Sequence, residues 1–215
     1  KGVEKLENDS YRVRGGDYIA RDYDIEPDVS AACYFYALAA ATGKRAMVKR
    51  MRKESLQGDM KFISLLEKMG CTVSWERDGR QNLWLKGPDG KLKGMEVKMS
   101  DFSDQALTLA AIAPFADSEV TIKGIAHIRG QESDRIKVIV DELAKMGILC
   151  NELPDGVKIH PGTPKNTNIE TYNDHRVAMS FAVTGLAGDG MTILNPMCCK
   201  KTFAGFFDEI DRLEE

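Results

Sequence analysis

The sequence holds little that could staple a chain, bind a metal or cross a membrane. Its 215 residues include only 3 His, and His127, His160 and His175 stand at no zinc-ligand spacing. Cys33, Cys71, Cys150, Cys198 and Cys199 are odd in number and form no CxxC. That pattern excludes a disulfide framework and predicts reduced, mostly buried thiols in a cytoplasmic protein. Adjacent cysteines such as Cys198 and Cys199 rarely bridge each other. Apolar runs such as 106–116 fall far short of the roughly 20 residues of a membrane span. No secretory pattern opens the chain, and there is no low-complexity tract. An excess of basic charge is also absent. Lys and Arg total 30 and Asp and Glu total 33, a net charge of −3, which argues against a general nucleic-acid binder. No Gly-rich phosphate loop occurs, so an ordinary nucleotide site is not expected.

The chain does have a repeat. Lys68-Met69-Gly70 recurs as Lys145-Met146-Gly147, an offset of 77 residues. Each copy ends a helix-period segment, with Gly at the C-terminal turn and a short apolar strand after it. Asp28, Asp104 and Asp174 each precede an Ala-rich or small-residue segment. The spacing predicts α/β (α+β) units of the form βαβαββ around buried helices. In the first, strands are expected over 24–26, 45–50, 72–75 and 82–86, and helices over 29–41 and 58–69. In the second, strands are expected over 96–99, 120–124, 148–151 and 157–160, and helices over 105–116 and 132–146. The third has strands near 168–171 and 191–195 and helices over 175–186 and 201–213, and lacks the closing hairpin. Gly79 and 87–90 supply turns. Tyr11–Val13 and 18–20 read as a hairpin around Gly15-Gly16 with no core of its own. Both ends therefore read as those of a fragment. The expected division is a hairpin remnant of a missing N-terminal domain over 1–20 and one domain over 21–215, with units of about 21–90, 91–163 and 164–215.

Residues 29–41 are apolar nearly all round, which suits a helix buried on every side. Segment 136–146 is amphipathic, with Lys137, Asp141, Glu142 and Lys145 expected on its outer face. Three buried helices, each begun by an Asp, would gather their N-termini on one side. Asp is a preferred N-cap, and that alone explains Asp28. In Asp174-His175-Arg176, however, His and Arg oppose the helix dipole in the first turn, so function is the better account. Lys200-Lys201 at another helix start raises the same point. Glu132 and Arg135, three apart, are expected to share a helix face. Arg135, Arg176 and Lys201, with the carboxylates of Asp104 and Glu132, suit acid/base chemistry on an anionic substrate.

These residues lie in motifs. Glu170-Thr171-Tyr172-Asn173-Asp174-His175-Arg176-Val177-Ala178-Met179 resembles the signature of the 5-enolpyruvylshikimate-3-phosphate synthase family. Gln131-Glu132-Ser133-Asp134-Arg135, Cys198-Cys199-Lys200-Lys201-Thr202-Phe203, Ser55-Leu56-Gln57-Gly58-Asp59 and Asp101-Phe102-Ser103-Asp104-Gln105-Ala106 are similar to other motifs of that family, in the same order. The resemblance implies the C-terminal domain of an enolpyruvyl transferase fold (inverse α/β barrel-like), completed by strands from the start of a longer chain. It implies enolpyruvyl transfer from phosphoenolpyruvate to the 5-hydroxyl of shikimate 3-phosphate, with release of phosphate and no metal or organic cofactor. Asp104, Glu132, Lys201 and His175 would be catalytic. Arg135, Arg176, Lys201, His127, Gln131 and Asp28 would bind substrate. The partners implied are the two substrates and the missing domain, and not nucleic acid or a membrane. Two positions depart from the family pattern: Gln131 replaces a Lys and His127 aligns with an Asn. Rival readings are the related transferase acting on UDP-N-acetylglucosamine and a non-catalytic RNA-binding module of the same unit.

Overall fold

Three sheets are built to one plan, as the repeat requires. The computed structural model describes residues 2–17, 19–76 and 81–213. In chain order the elements are β1 (Val3–Lys5), β2 (Tyr11–Val13), α1 (Val29–Thr42), β3 (Arg45–Val48), α2 (Met60–Lys68), β4 (Thr72–Trp75) and β5 (Leu83–Lys86). Then come β6 (Glu96–Lys98), α3 (Ala106–Ile112), β7 (Val120–Lys123), α4 (Arg135–Lys145), β8 (Cys150–Leu153) and β9 (Gly156–Ile159). The last are β10 (Asn168–Ile169), α5 (His175–Ala187), β11 (Thr192–Ile193), α6 (Lys200–Phe203) and α7 (Phe206–Asp211). The second unit is the fullest. Its β6 runs parallel to β7, and β9 and β8 extend the sheet antiparallel in the order β6-β7-β9-β8. The first unit repeats the last three places as β3-β5-β4, and the third repeats the first two as the parallel pair β10-β11.

The two related helices α2 and α4 end in the same way. Gly70 and Gly147 take φ of 106° and 77°, where L side chains are strained. Cys71 N–H donates to Leu66 C=O, as Ile148 N–H does to Leu143 C=O. Gly70 and Gly147 donate to Glu67 and Ala144, which completes a Schellman turn in each copy.

Several local expectations are corrected. Residues 24–26 form no strand. Asp24 is held instead by Arg50 and Arg52, Ile25 is exposed, and Pro27 has no N–H to continue a ladder. Residues 19–20 form no strand, and the hairpin pairs β2 with β1, upstream. Its turn lies at Asn8 and Asp9, with φ of 61° and 54°, a backbone that these short polar residues tolerate. Tyr18 and Gly79 lie outside the described residues. The helix expected over 201–213 is two pieces, α6 and α7, with Gly205 between them. That expected over 105–116 becomes α3 flanked by 3₁₀ turns, with Pro114 in the second.

Helices α1, α3 and α5 form the centre and pack on one another. Every residue of α3 is buried. Thr184 donates to Ala111 C=O at 2.8 Å, and the Thr108 and Ser180 hydroxyls meet at 3.4 Å, so the buried polar groups between α3 and α5 are satisfied. Phe62, Ile63, Leu65 and Leu66 of α2 and Ile136, Val138, Ile139 and Leu143 of α4 close the core from outside. Glu142 breaks the expected amphipathic pattern of α4: it is fully buried.

Candidate active site

The N-terminal ends of the three central helices converge, but their Asp residues behave differently. Asp28 caps α1, its carboxylate accepting from the amides of Ser30 and Ala31 at 2.9 and 3.4 Å. Asp174 caps α5 through the Arg176 amide at 2.9 Å. Asp104 caps nothing: it sits in the 3₁₀ turn before α3, and its carboxylate faces outward to two arginines. Arg176 Nη2 lies 2.8 Å from Asp104 Oδ2, and Arg135 Nη1 lies 3.5 Å from Oδ1.

Arg135 is anchored from behind. Its Nε and Nη2 donate to the two oxygens of Asp174 at 2.8 and 3.3 Å, a bidentate pair that suits a planar guanidinium. Gln131 accepts from its Nη1, and Ser133 donates to Asp174 at 3.0 Å. Only 4 % of the Arg135 side chain and none of the Asp174 side chain is exposed. A second chain of contacts starts at Glu132, whose Oε2 lies 2.7 Å from Lys201 Nζ and 3.0 Å from His175 Nδ1. The structure thus brings Asp104, Gln131, Glu132, Arg135, His175, Arg176 and Lys201 into one connected cluster. Helix α4 starts at Arg135 after its cap Asp134, so Glu132 lies ahead of it and shares no helix face with Arg135.

The family model of EPSP synthase (3-phosphoshikimate 1-carboxyvinyltransferase) matches residues 2–210. The chain belongs to that family. A 3-phosphoshikimate 1-carboxyvinyltransferase from Nostoc punctiforme is 44 % identical over 217 residues, covering 100 % of this chain and 50 % of the relative. One from Methanoculleus marisnigri is 40 % identical, covering 97 % and 49 %. The chain thus spans about half the length of the curated relatives it matches. Among solved structures, an EPSP synthase from Acinetobacter baumannii superposes with a TM-score of 0.80 at 28 % identity, over 98 % of this chain and 51 % of that one. The enolpyruvyl transferase NikO from Streptomyces tendae has a TM-score of 0.71 over 98 % and 49 %, and at 18 % identity it speaks for the fold alone.

Two of the expected site residues stand apart from the cluster. His127 Nε2 meets Ser103 Oγ at 2.8 Å, one residue before Asp104, and Asp28 is occupied with its cap. Sequence reasoning missed the buried supports. Asp174 Oδ1 and Oδ2 hold Arg135 as well as the cap. Asp59 accepts from Ser30 of α1 and, at 2.6 Å, from Gln105, which locks the residue next to Asp104. Tyr34 is buried, with its hydroxyl beside Arg176. The Gln57-Gly58-Asp59 motif was the only sequence signal for these contacts.

The charges are tuned by their neighbours. Burial opposes the Arg176 charge, but Tyr34, Asp104 and Asp59 outweigh it and hold its pKa above the ordinary value. Burial would raise both Glu132 and Asp174. Lys201 and His175 instead pull Glu132 down, and Arg135, the Arg176 amide and Ser133 pull Asp174 down. Burial depresses His175 below 6.5, although Glu132 draws it the other way. Glu132, Asp174 and His175 place donor atoms within 4.8 Å of one another, as a metal site would. Lys201 and Arg135 already supply positive charge to that group.

A pH prediction follows from these directions. The unfolded state binds a proton at His175 more readily than the native state, so this part of the stability is present above 6.5 and is lost as the pH falls through and below that value. Glu132 and Asp174 add stability above their ordinary values of 4.5 and 3.8, lost as the pH falls through the lower native ones. Urea midpoints should therefore decline in two stages, first below about pH 6.5 and again below about pH 4.5. A His175→Gln variant should lose the first stage; a variant that keeps it would contradict the assignment.

Proposed function

We propose that this chain is the C-terminal half of an enzyme that moves the enolpyruvyl group of phosphoenolpyruvate to the 5-hydroxyl of shikimate 3-phosphate. In this reading residues 21–215 are one domain, 1–20 end the other, and that other domain supplies the facing wall of the cleft. The observation that carries it is Asp104: a helix-start carboxylate that caps nothing, set against Arg176 and Arg135, with the Glu132–Lys201 pair joined to the same cluster. Five free cysteines fit a reducing, cytoplasmic setting. No helix among the described residues is long and apolar enough to cross a membrane.

The residues divide the labour as follows. Arg176, Arg135 and Lys201 bind the carboxylate and phosphate of phosphoenolpyruvate; the Arg176 fork suits a pair of oxygens, whereas Arg135, already bidentate to Asp174, contributes its charge and its Nη1 edge. Asp104 takes the proton of the 5-hydroxyl as its oxygen attacks the enol carbon. Lys201, paired with Glu132, delivers a proton to the methylene carbon, which gives a tetrahedral adduct. Elimination reverses that proton transfer: the methyl group loses a proton to the Glu132–Lys201 pair, the double bond forms again, and phosphate leaves with the proton that Asp104 held. His175, largely neutral at pH 7, fixes the Glu132 carboxylate through Nδ1. Gln131 steadies Arg135, and His127 and Asp28 serve the acceptor at the rim. Oδ1 of Asp28 takes both cap amides, which leaves Oδ2 for a substrate hydroxyl.

The test is phosphate release from phosphoenolpyruvate by this chain assembled with the complementary half. Release is expected only when shikimate 3-phosphate is present. Release that follows UDP-N-acetylglucosamine instead would move the chain to the related transferase. An assembled, folded protein that releases none with either acceptor would refute both.

A further inference from the structure

The turn that leads into α5 is strained, and a group outside the site holds it. Tyr172 and Asn173 both have positive φ, 52° and 56°, and Asp174 N–H donates to Thr171 C=O at 2.8 Å. Asn tolerates this left-handed backbone, whereas a bulky Tyr is a genuine outlier there. Thr171 adds a second sign of an imposed position: its hydroxyl is buried with no hydrogen-bond partner. Such conformations persist only where the surroundings over-determine them.

Asn195 Nδ2 donates to Asn173 Oδ1 and the Tyr172 amide to Glu170 Oε1, both at a long 3.4 Å; the shorter contact, to a buried partner, is with Glu142. It lies two turns along α4 from Arg135 and is fully buried. Its Oε1 accepts from the Tyr172 hydroxyl at 2.8 Å, and its Oε2 accepts from the Glu170 amide at 3.3 Å. Lys145 Nζ sits 2.8 and 2.9 Å from the two oxygens and balances the charge. Burial and the Glu142 carboxylate both push the Tyr172 phenol well above its ordinary pKa, so it stays a donor. A helix surface position used in this way leaves no solvated role for Glu142. We infer that Glu142 and Tyr172 form a latch that holds the strained 171–174 turn and so sets the placement of Asp174, His175 and Arg176. Both are positioning residues: neither carboxylate nor phenol reaches the Asp104 cluster, and each acts through the turn.

The kinetic arm of the test rests on the function proposed above; the spectroscopic arm does not. Two variants separate strain from packing. Tyr172→Phe keeps the ring and the strain but removes the latch. Tyr172→Asn removes the latch too, yet its side chain accepts positive φ. Tyr172 is 38 % exposed, so both should fold. In the assembled two-half protein, Tyr172→Phe should lower kcat about tenfold with little change in KM, part of the roughly hundredfold that a 1 Å misplacement can cost. Tyr172→Asn should lose at most about threefold, because a relaxed turn no longer needs the latch. The ring resonances of His175 in histidine-labelled protein should shift in the Phe variant and stay near the parent's in the Asn variant. A residue that matters only for packing gives the opposite order, with Phe mild and Asn severe. That order, equal losses, or a Phe variant identical to the parent in both readouts would overturn the latch. If the parent shows no turnover with either acceptor, the function fails and the His175 resonances alone decide the latch.

Discussion

Arg135→Met is expected to lower the unfolding free energy by about 3–5 kcal/mol, the range found when one partner of a buried ion pair is removed. The side chain it pairs with, Asp174, has no exposure at all, and Arg135 supplies two of its hydrogen bonds. After the change only the Ser133 hydroxyl and the Arg176 amide would still donate to that carboxylate. A buried charge left short of donors costs far more than the pair contributed, because desolvation is no longer offset. Set against a total of about 5–15 kcal/mol for a domain, the loss is large enough to read from urea midpoints at unchanged slope. Two further results identify the cause. Arg135→Met with Asp174→Asn should cost clearly less than the sum of the single changes, since the second change removes the charge that the first one strands. The penalty of Arg135→Met should also shrink as the pH is lowered. Without Arg135, burial dominates and the Asp174 carboxyl takes up a proton at higher pH than in the parent. A penalty below about 1 kcal/mol, or one that grows in acid, would mean that Arg135 is not what keeps Asp174 charged.

The same buried pair shows which parts of the site the sequence could reveal. Arg176 and Lys201 were legible because they offend a local rule, positive charge at a helix start, which a bound or paired anion relieves. The structure contains the relief: Asp104 on Arg176, Glu132 on Lys201. Asp174 was less legible because a cap and an ion-pair partner look alike in sequence. Asp28 and Asp174 both cap, and only the fold shows that one of them also holds an arginine 39 residues away. Glu142 was misread for a related reason. Periodicity gives the direction of a side chain on its own helix but says nothing of what covers it. Here the 170–173 segment folds over the outer face of α4 and buries a residue that helix spacing places in water. The repeat was legible at its helix ends, where Gly70 and Gly147 answer to backbone sterics alone. It was illegible at 24–26, where Asp24 pairs with two distant arginines and no ladder partner is present among the described residues.

Asp104→Asn is expected to reduce kcat for enolpyruvyl transfer by about 10²–10⁴-fold, the range that general-base catalysis supplies. Each of the three central helices has an Asp at its start or in the turn just ahead of it, and the comparison among them makes the case. A carboxylate used as a cap is committed to backbone amides, and Asn replaces it there with little loss. Asp28→Asn should therefore leave the stability almost unchanged, and its effect should fall on the KM of the acceptor. Asp174→Asn strands Arg135 and should act mainly on folding. Asp104 has no amide to serve, keeps 43 % of its side chain exposed and points both oxygens at arginines. Asn at this position preserves size and one acceptor oxygen but cannot take a proton. The KM of phosphoenolpyruvate should change little, because the arginines proposed to bind it remain, and the loss should appear in kcat. The thermal midpoint should fall measurably but by less than for Arg135→Met, since Asp104 is part-exposed while its partners Arg135 and Arg176 keep only 4 % and 13 % exposure. A variant that folds, binds both substrates and turns over at the parent's rate would show that Asp104 serves only to hold Arg176 in place. The general base would then have to come from the complementary half of the protein.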